Sequence, residues 1–428
     1  MKEQTIYKNT VVSFMSSAQL KIIDCIYGEF LITEPILIRL ITSKTCIRLK
    51  GVYQHGISGF LSFTPPVTRF DHSLGAMLLV RLLHGSLEEQ IAALLHDISH
   101  TAFSHVSDHL FPSEISYHER MKETYVFSTS LPEILEEFNF DTHRIIEETN
   151  FGLLERPSPH LCADRTDYGL RDCYAFGYLS IDDIRYIINN LAVKDNYIVC
   201  LKEDVAILFG KYYAKADENV WSNPFFQGLY EVTSTVIKEA LKLNIVEEKD
   251  LFLEDQQFWE KIKTCSDQKL KSLIDLVENF KNVSVDSENF DFKVPFKVRT
   301  IDPDVLVEDK MVSLSQINND YRLMMEVYRK EKLSAGGRYE FLWKSEEKKG
   351  KPYRVPAPIY IQNTLDWVSK LLDDENCFST SNEFPLNFEK KILQKIFKRY
   401  FRFYAHIYHS HLKELEYMNE DRHFNTCF

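Results

Sequence analysis

Histidine and aspartate crowd one stretch of this chain. Between Arg69 and His109 it reads RFDHSLGAMLLVRLLHGSLEEQIAALLHDISHTAFSHVSDH, with six histidines and three aspartates. Two groupings stand out: Arg69-x-x-His72 at the front, and the adjacent His96-Asp97 pair 24 residues after His72. His100, His105 and Asp108 follow within 11 residues of Asp97. A lone His-Asp pair is most often structural. Imidazoles and carboxylates at this density instead suit a divalent ion that polarises a phosphate and activates water. Such an ion wants a further acidic ligand, and Asp164 is the natural candidate. In LCADRTDYGLRDC, Asp164, Asp167, Tyr168, Arg171 and Asp172 fall at i, i+3, i+4, i+7 and i+8, which puts them on one helix face. Two histidines and two aspartates leave room on an octahedral ion for water and a substrate oxygen.

The elements that must hold these residues are mostly helical. Apolar spacing predicts helices over about residues 72–84 and 87–95, broken at Gly85-Ser86, and Ser86 with Glu89 three residues on has the form of a capping box. Ile36, Leu37, Leu40 and Ile41 mark a helix within 34–49, with Pro35 in its first turn. Residues 51–64 read as a loop or short hairpin closed by Pro65-Pro66. A strand-like piece lies at 20–28, and Pro132 opens a helix that runs to about residue 149. Residues 252–279 read as helix–loop–helix, and 291–302 alternate like a strand. The charged run EEKKGK at 346–351 marks a shift in composition.

The bulk numbers narrow the class. A chain of 428 residues with 44% hydrophobic content, 30 Phe and 22 Tyr can build two or three cored domains, and 14 Gly with 14 Pro are too few for a turn-dense β fold. A net charge of −12 argues against non-specific binding to nucleic acid or acidic membranes. The eight cysteines form no C-x-x-C, so neither a zinc ribbon nor a disulfide framework is indicated. No apolar run is long enough to cross a membrane, and the N-terminus lacks the pattern of a signal peptide. An intracellular setting, cytoplasm and/or nucleus, is expected.

The motifs RFDHSLG, ALLHDISHTAFSH and DRTDYGLRD resemble the HD superfamily of metal-dependent phosphohydrolases, in particular the branch that contains the deoxynucleoside triphosphate triphosphohydrolases. Upstream, RLKGVYQHG is similar to that branch's lead-in, and the likeness covers roughly residues 20–330. The resemblance implies that His72, His96, Asp97 and Asp164 hold one divalent ion (Mn, Fe, Mg or Zn). It implies acid–base work for His105, Asp108, His118 and Glu119, and phosphate contacts for Arg69, His100 and Arg165. Gln54, Tyr168 and Asp172 match residues that touch the sugar or its 3′-hydroxyl. The sequence departs from the branch in two places: Ser99 stands where Gly is usual, and residues 211–228 carry only Lys211 and Lys215 where several basic triphosphate contacts are expected. No counterpart of that branch's nucleotide-activator site is found.

From about residue 333 the relatives change. SAGGRYEFLW, FPLNF and KRYFRFYAHIYHSHL resemble the Mob family of kinase-activating adaptors. The likeness implies a phosphopeptide patch at Lys398, Arg399 and Arg402, spaced to share one phosphate. His406 and His411 match the histidines of that family's structural zinc, but its cysteines have no counterpart, and two ligands do not close a tetrahedral site. The expected architecture is therefore all-α dominated: an HD helical core over 1–195, a small α+β part over 196–332 and a partial helical Mob-like module over 333–428. The expected activity is hydrolysis of a nucleotide phosphoester or anhydride, of the type dNTP plus water to deoxynucleoside plus triphosphate, with a homo-oligomer as a candidate assembly. The alternatives are an adaptor for phosphorylated kinase partners and an HD-type phosphodiesterase or nuclease.

Overall fold

The computed structural model describes residues 7–280, 298–336, 341–343, 353–355, 357–372, 388 and 393–397. The chain divides into two compact units, Met1–Met325 and Glu326–Phe428. Helices dominate the first. The Arg69–Leu82 helix begins at Thr68, whose hydroxyl accepts the Asp71 backbone N–H while the Asp71 carboxylate accepts from the Thr68 backbone, a reciprocal cap. Phe70, Leu74, Gly75, Leu79 and Val80 lie around the whole circumference of this helix and all are buried, so it runs through the interior rather than along a surface. The Leu87–Leu95 helix starts where the sequence places it, with Ser86 Oγ accepting the Glu89 N–H at 3.1 Å.

The Ala163–Ala175 helix packs on Arg69–Leu82 at Gly75. A Cβ there would lie 2.0 Å from Asp167 Oδ1 and 2.1 Å from Arg171 Nη2, so only glycine lets the two helices close to this distance. A second core forms where the Pro224–Lys242 helix meets Val106–Leu110, Asp255–Lys263 and Gln268–Glu278, with Leu229, Val236, Phe258, Trp259 and Leu270 at its centre.

Two small sheets complete the unit. Val11–Ser16, Gln19–Asp24 and Gly28–Ile32 form an antiparallel meander in register Val12↔Ile22 and Ile22↔Phe30. The other sheet orders Leu191–Lys194, Tyr197–Cys200, Asp304–Val307 and Lys310–Ser313, with one parallel junction at Cys200↔Val305. Its hairpins turn at Asp195-Asn196 (φ 49° and 64°) and Glu308-Asp309 (φ 47° and 64°), the paired positive φ of a two-residue turn matched to strand twist. Four expectations are corrected. Residues 51–64 hold a short helix, Gly56–Phe60, instead of a hairpin, and the helix expected over 34–49 is two, Pro35–Ile41 and Lys44–Arg48. The helix expected to about residue 149 is split into Leu131–Glu137 and Thr142–Ile146. The alternation at 291–302 gives no strand within its described residues 298–302; the strand begins at Asp304.

In the second unit, Phe341–Trp343 pairs antiparallel with Tyr353–Val355, followed by the Ala357–Leu372 helix. Lys398, Arg399, Arg402, His406 and His411 lie outside the described residues. Among the described residues no helix is long and apolar enough to cross a membrane.

Candidate metal centre

Three helices bring four candidate ligands together: the His72, His96 and Asp164 ligand atoms lie within 4.8 Å of one another, and Asp97 stands beside them, where it also groups with His100 and His118. His72 comes from Arg69–Leu82, His96 and Asp97 from the end of Leu87–Leu95, and Asp164 from the first turn of Ala163–Ala175. His72 Nε2 lies 3.2 Å from His96 Nε2 and 3.0 Å from Asp164 Oδ1, and His96 Nε2 is 3.5 Å from the same oxygen. Asp97 Oδ2 stands 3.6 Å from His72 Nε2 and 3.8 Å from His96 Nε2. Ligands bonded to one ion at ~2.0–2.2 Å have neighbours at about this spacing.

Second contacts fix the imidazoles for that task. His72 Nδ1–H donates to Asp167 Oδ2 at 2.7 Å, and His96 Nδ1–H donates to the Ala93 carbonyl at 2.7 Å. Both Nε2 atoms are left as lone pairs that face each other and two carboxylates, an arrangement that calls for a cation. Without an ion, a proton answers the same negative field. Burial favours neutral His96, yet Asp97 and Asp164 push it up to about 10. Burial of Asp164 is overcome by hydrogen bonds from protonated His72 and His96 that hold its carboxyl far below the usual range, so a bound cation would take the place of that proton. Asp167 in turn is gripped by Arg171 through Nε at 3.0 Å and Nη2 at 2.9 Å, and Arg171 also meets Asp24 and the Tyr7 hydroxyl at 3.1 Å.

Beside the cluster lies a histidine layer. Arg69 Nη1 donates to Asp97 Oδ2 at 2.6 Å and its Nε to Ser104 Oγ at 3.0 Å, while His100 Nε2 stands 3.2 Å from Asp97 Oδ1. The His100 ring stacks on His118 at 3.7 Å, and His105 meets both rings edge-on. Each of the two candidate proton donors carries a carboxylate: His105 Nδ1 is 3.0 Å from Asp108 Oδ2, and His118 Nε2 is 3.1 Å from Glu119 Oε1. Asp108 is steadied by the Tyr117 backbone N–H at 2.7 Å. Lys122 Nζ holds Glu119 Oε2 at 2.8 Å and also pairs with Glu148, and these two carboxylates keep the buried ammonium charged against the burial that disfavours it.

The remaining expected residues are placed as follows. Arg165 donates to the His160 and Arg156 carbonyls at 2.7 and 3.2 Å, so part of its fork is already engaged. Tyr168 stands edge-on to His72 with ring centroids 6.2 Å apart, and its hydroxyl meets that of Tyr213. Trp221 closes the row, edge-on to Tyr168 at 5.2 Å and to Tyr213 at 4.8 Å, and donates its indole N–H to Asp172 Oδ2 at 2.7 Å. Lys215, one of the two lysines in the basic-poor helix, lies over the Tyr178 ring at 4.7 Å. Gln54 reaches the layer through its carbonyl, 3.5 Å from Arg69 Nη2. Sequence reasoning did not assign Asp167, Arg171, Lys122, His55 or Trp221. Asp167 and Arg171 did signal themselves, on the same helix face as Asp164; Trp221 and His55 carry no spacing that could have found them.

Comparison with known proteins matches this geometry to a family. The HD domain model covers residues 69–168. A metal-dependent phosphohydrolase of Cordyceps militaris, cns2, is 41% identical over 291 residues, which is 66% of this chain and 84% of that protein. The chain belongs to the HD-domain metal-dependent phosphohydrolases. The fold agrees with a solved phosphohydrolase from Bacteroides thetaiotaomicron, at TM-score 0.55 and 19% identity over 70% of this chain and 95% of that one. A separate model, the Mob1/phocein family, matches residues 305–428, starting earlier than the motifs noted from residue 333. A MOB kinase activator-like protein of Dictyostelium discoideum is 46% identical over 100 residues, 23% of this chain and 46% of that relative. The chain thus spans less than half the length of this Mob relative.

Proposed function

We propose that this HD phosphohydrolase cleaves a phosphoester or phosphoanhydride bond of a nucleotide, with dNTP cleavage to deoxynucleoside and triphosphate as one member of that class. The observation that carries the proposal is the pair of half-buried aromatics Tyr168 and Trp221, backed by the buried Tyr213; it begins 6.2 Å from the ring of His72 and places ring surface for a nucleoside beside the cluster. His72, His96, Asp97 and Asp164 would hold a divalent ion, which when bound would supply Lewis-acid polarisation of the phosphate and a more acidic water. The chain's own groups do the rest. Asp167 and the Ala93 carbonyl keep the two imidazoles in the tautomer that ligates. Arg69 and His100 hold positive and polar hydrogen-bond donors beside the phosphate, where they offset developing charge. His118, oriented by Glu119, delivers a proton to the leaving oxygen, while burial pushes His105 down to about 4, so that beside Asp108 it acts as a neutral hydrogen-bonding partner.

With Arg165 partly committed to carbonyls and only two lysines on the basic-poor helix, few cations are free to hold a long phosphate chain. A panel of mono-, di- and triphosphates, ribo and deoxy, assayed with Mn, Mg and Fe for released phosphate, pyrophosphate and triphosphate, tests the proposal. Release from at least one nucleotide, lost in His72→Ala, is expected; no release from any would overturn it. A second proposal rests on the Mob1/phocein match: residues 305–428 bind a phosphorylated kinase partner through Lys398, Arg399 and Arg402. Phosphopeptide capture that survives changing all three to Ala refutes that site.

A further inference from the structure

Lys122 is buried, 5% exposed, on the Tyr117–Phe127 helix that also carries His118 and Glu119. Its ammonium lies 2.8 Å from Glu119 Oε2 and also pairs with Glu148, while the other Glu119 oxygen stands 3.1 Å from His118 Nε2. His118 and Glu119 precede Lys122 by one turn, the spacing at which helix side chains meet. A buried ion pair is poor evidence for stability, because apolar groups of like volume often serve as well or better. The charge at Lys122 therefore asks for a second reason, and its two partners supply one.

Glu119 is the partner that needs holding. Its side chain is 37% exposed, and a glutamate that open to water keeps its rotamer freedom unless something fixes it. The backbone behind the imidazole is already pinned, since the His118 carbonyl accepts the Ser99 hydroxyl at 3.0 Å. Lys122 pins the carboxylate from the inside and leaves Oε1 for the ring. Glu148 anchors the ammonium in turn. It opens the Glu148–Asn150 turn, and the chain that follows is bound to two of the three helices that bring the candidate ligands. The Leu153 and Leu154 N–H groups donate to Glu89 Oε1 at 2.6 and 3.2 Å, on the helix that ends at His96 and Asp97. The Leu154 carbonyl accepts the Asp164 N–H at 3.3 Å. The Lys122 bridge thus runs from the proton donor to the frame of the metal cluster.

Resting on the proton-delivery role proposed above for His118, we infer that Lys122 is a positioning residue for the hydrolysis. Clamped between Glu119 and Glu148, it sets the Glu119 carboxylate against His118 and so aims the proton. With Nε2 facing Glu119, Nδ1–H is the proton left to deliver. As the oxygen of the attacking water bonds to phosphorus, the bond to the leaving oxygen breaks, and that oxygen takes the bonding pair and the His118 proton. The water sheds one proton, which returns the imidazole to its charged form. A sugar oxygen needs this help; p-nitrophenolate, stable as an anion, does not.

The test compares the metal-loaded full chain with Lys122→Met/Glu148→Gln, which removes the ammonium and the charge that anchors it together, and with Lys122→Arg, which keeps the charge. Melting and metal content are checked in all three. In the double variant, kcat for the nucleotide found in the panel should fall about 10–100-fold with KM within about twofold, while turnover of p-nitrophenyl phosphate stays within about threefold. Lys122→Arg should recover most of the nucleotide kcat. Equal losses on the two substrates, or an unchanged nucleotide kcat, overturn the inference while leaving nucleotide hydrolysis standing. Crystal structures of the wild type and the double variant read the clamp without turnover. A Glu119–His118 gap opened past ~3.5 Å supports the positioning role even if no nucleotide is cleaved; a gap unchanged from the wild type overturns it.

Discussion

Asp167→Asn removes one charge and no atoms of volume, and two separate losses are expected from it. Asp167 is fully buried and holds His72 Nδ1 at 2.7 Å and Arg171 through two contacts at 2.9 and 3.0 Å. Removing one partner of a buried ion pair costs about 3–5 kcal/mol. Asp24 and the Tyr7 hydroxyl still face the guanidinium, so the low end, ~3 kcal/mol, applies. At ~2–4 °C per kcal/mol that lowers the melting temperature by roughly 6–12 °C. The second loss is at the metal. An asparagine amide that turns its NH2 toward His72 makes Nδ1 the acceptor and moves the ring proton to Nε2, the ligand atom. Changes to such outer partners weaken metal binding about 10–100-fold, or ~1.4–2.7 kcal/mol. Chelator competition gives the affinity, and thermal melting with and without saturating metal gives the stability. Metal affinity within about twofold of wild type would refute the orienting role of Asp167; a fall in melting alone would leave it purely structural.

Gly75→Ala drives a methyl into Asp167 and Arg171, where overpacking costs about 1–3 kcal/mol or more, so both the melting temperature and metal affinity should drop. His118→Gln should lower kcat by about 10²–10⁴ while metal content stays stoichiometric if the ion sits at His72, His96 and Asp164; loss of the ion would instead place it at the neighbouring Asp97, His100 and His118 group. Burial pushes the Asp255 carboxyl up to about 7 despite the backbone N–H groups of Phe103 and Tyr53 that it accepts. Its folded pKa lies above the unfolded value near ~3.9, so folding takes up a proton and this contribution is full below pH ~4 and lost as pH rises through ~7, at up to about 1.4 kcal/mol per unit. Urea unfolding from pH 4.5 to 7.5 should show that slope flattened by one proton in Asp255→Asn; identical slopes would refute it.

The density of histidine and aspartate and the helices that carry them were legible in the sequence, because those helices are capped and apolar, while the candidate ligand set came from the family resemblance. Ser86 fixes where one helix begins, and the i, i+3, i+4 pattern after Cys162 already put Asp164 and Asp167 on one face. Type and spacing cannot reveal what side chains do across the fold. His55 and Trp221 reach Asp172 from sequence distances of 117 and 49 residues, and no local period records that. The N-terminal meander was only partly visible, since Phe14, Met15 and Leu31 are exposed and blur the alternation that a half-buried strand should show. The short helix at Gly56–Phe60 was hidden by its two glycines, which read as a turn while serving close approach; Gly56, at φ 51°, leaves no room for a Cβ against the Phe103 carbonyl.

The central claim is that two imidazoles and two carboxylates form one metal site that drives phosphate hydrolysis. Metal analysis of the purified full chain, run beside the nucleotide panel for wild type, His72→Ala and Asp164→Ala, tests it most directly. One divalent ion per chain in the wild type, with both the ion and phosphate release lost in each variant, is the expected result. Phosphate release that persists in variants stripped of metal would contradict it.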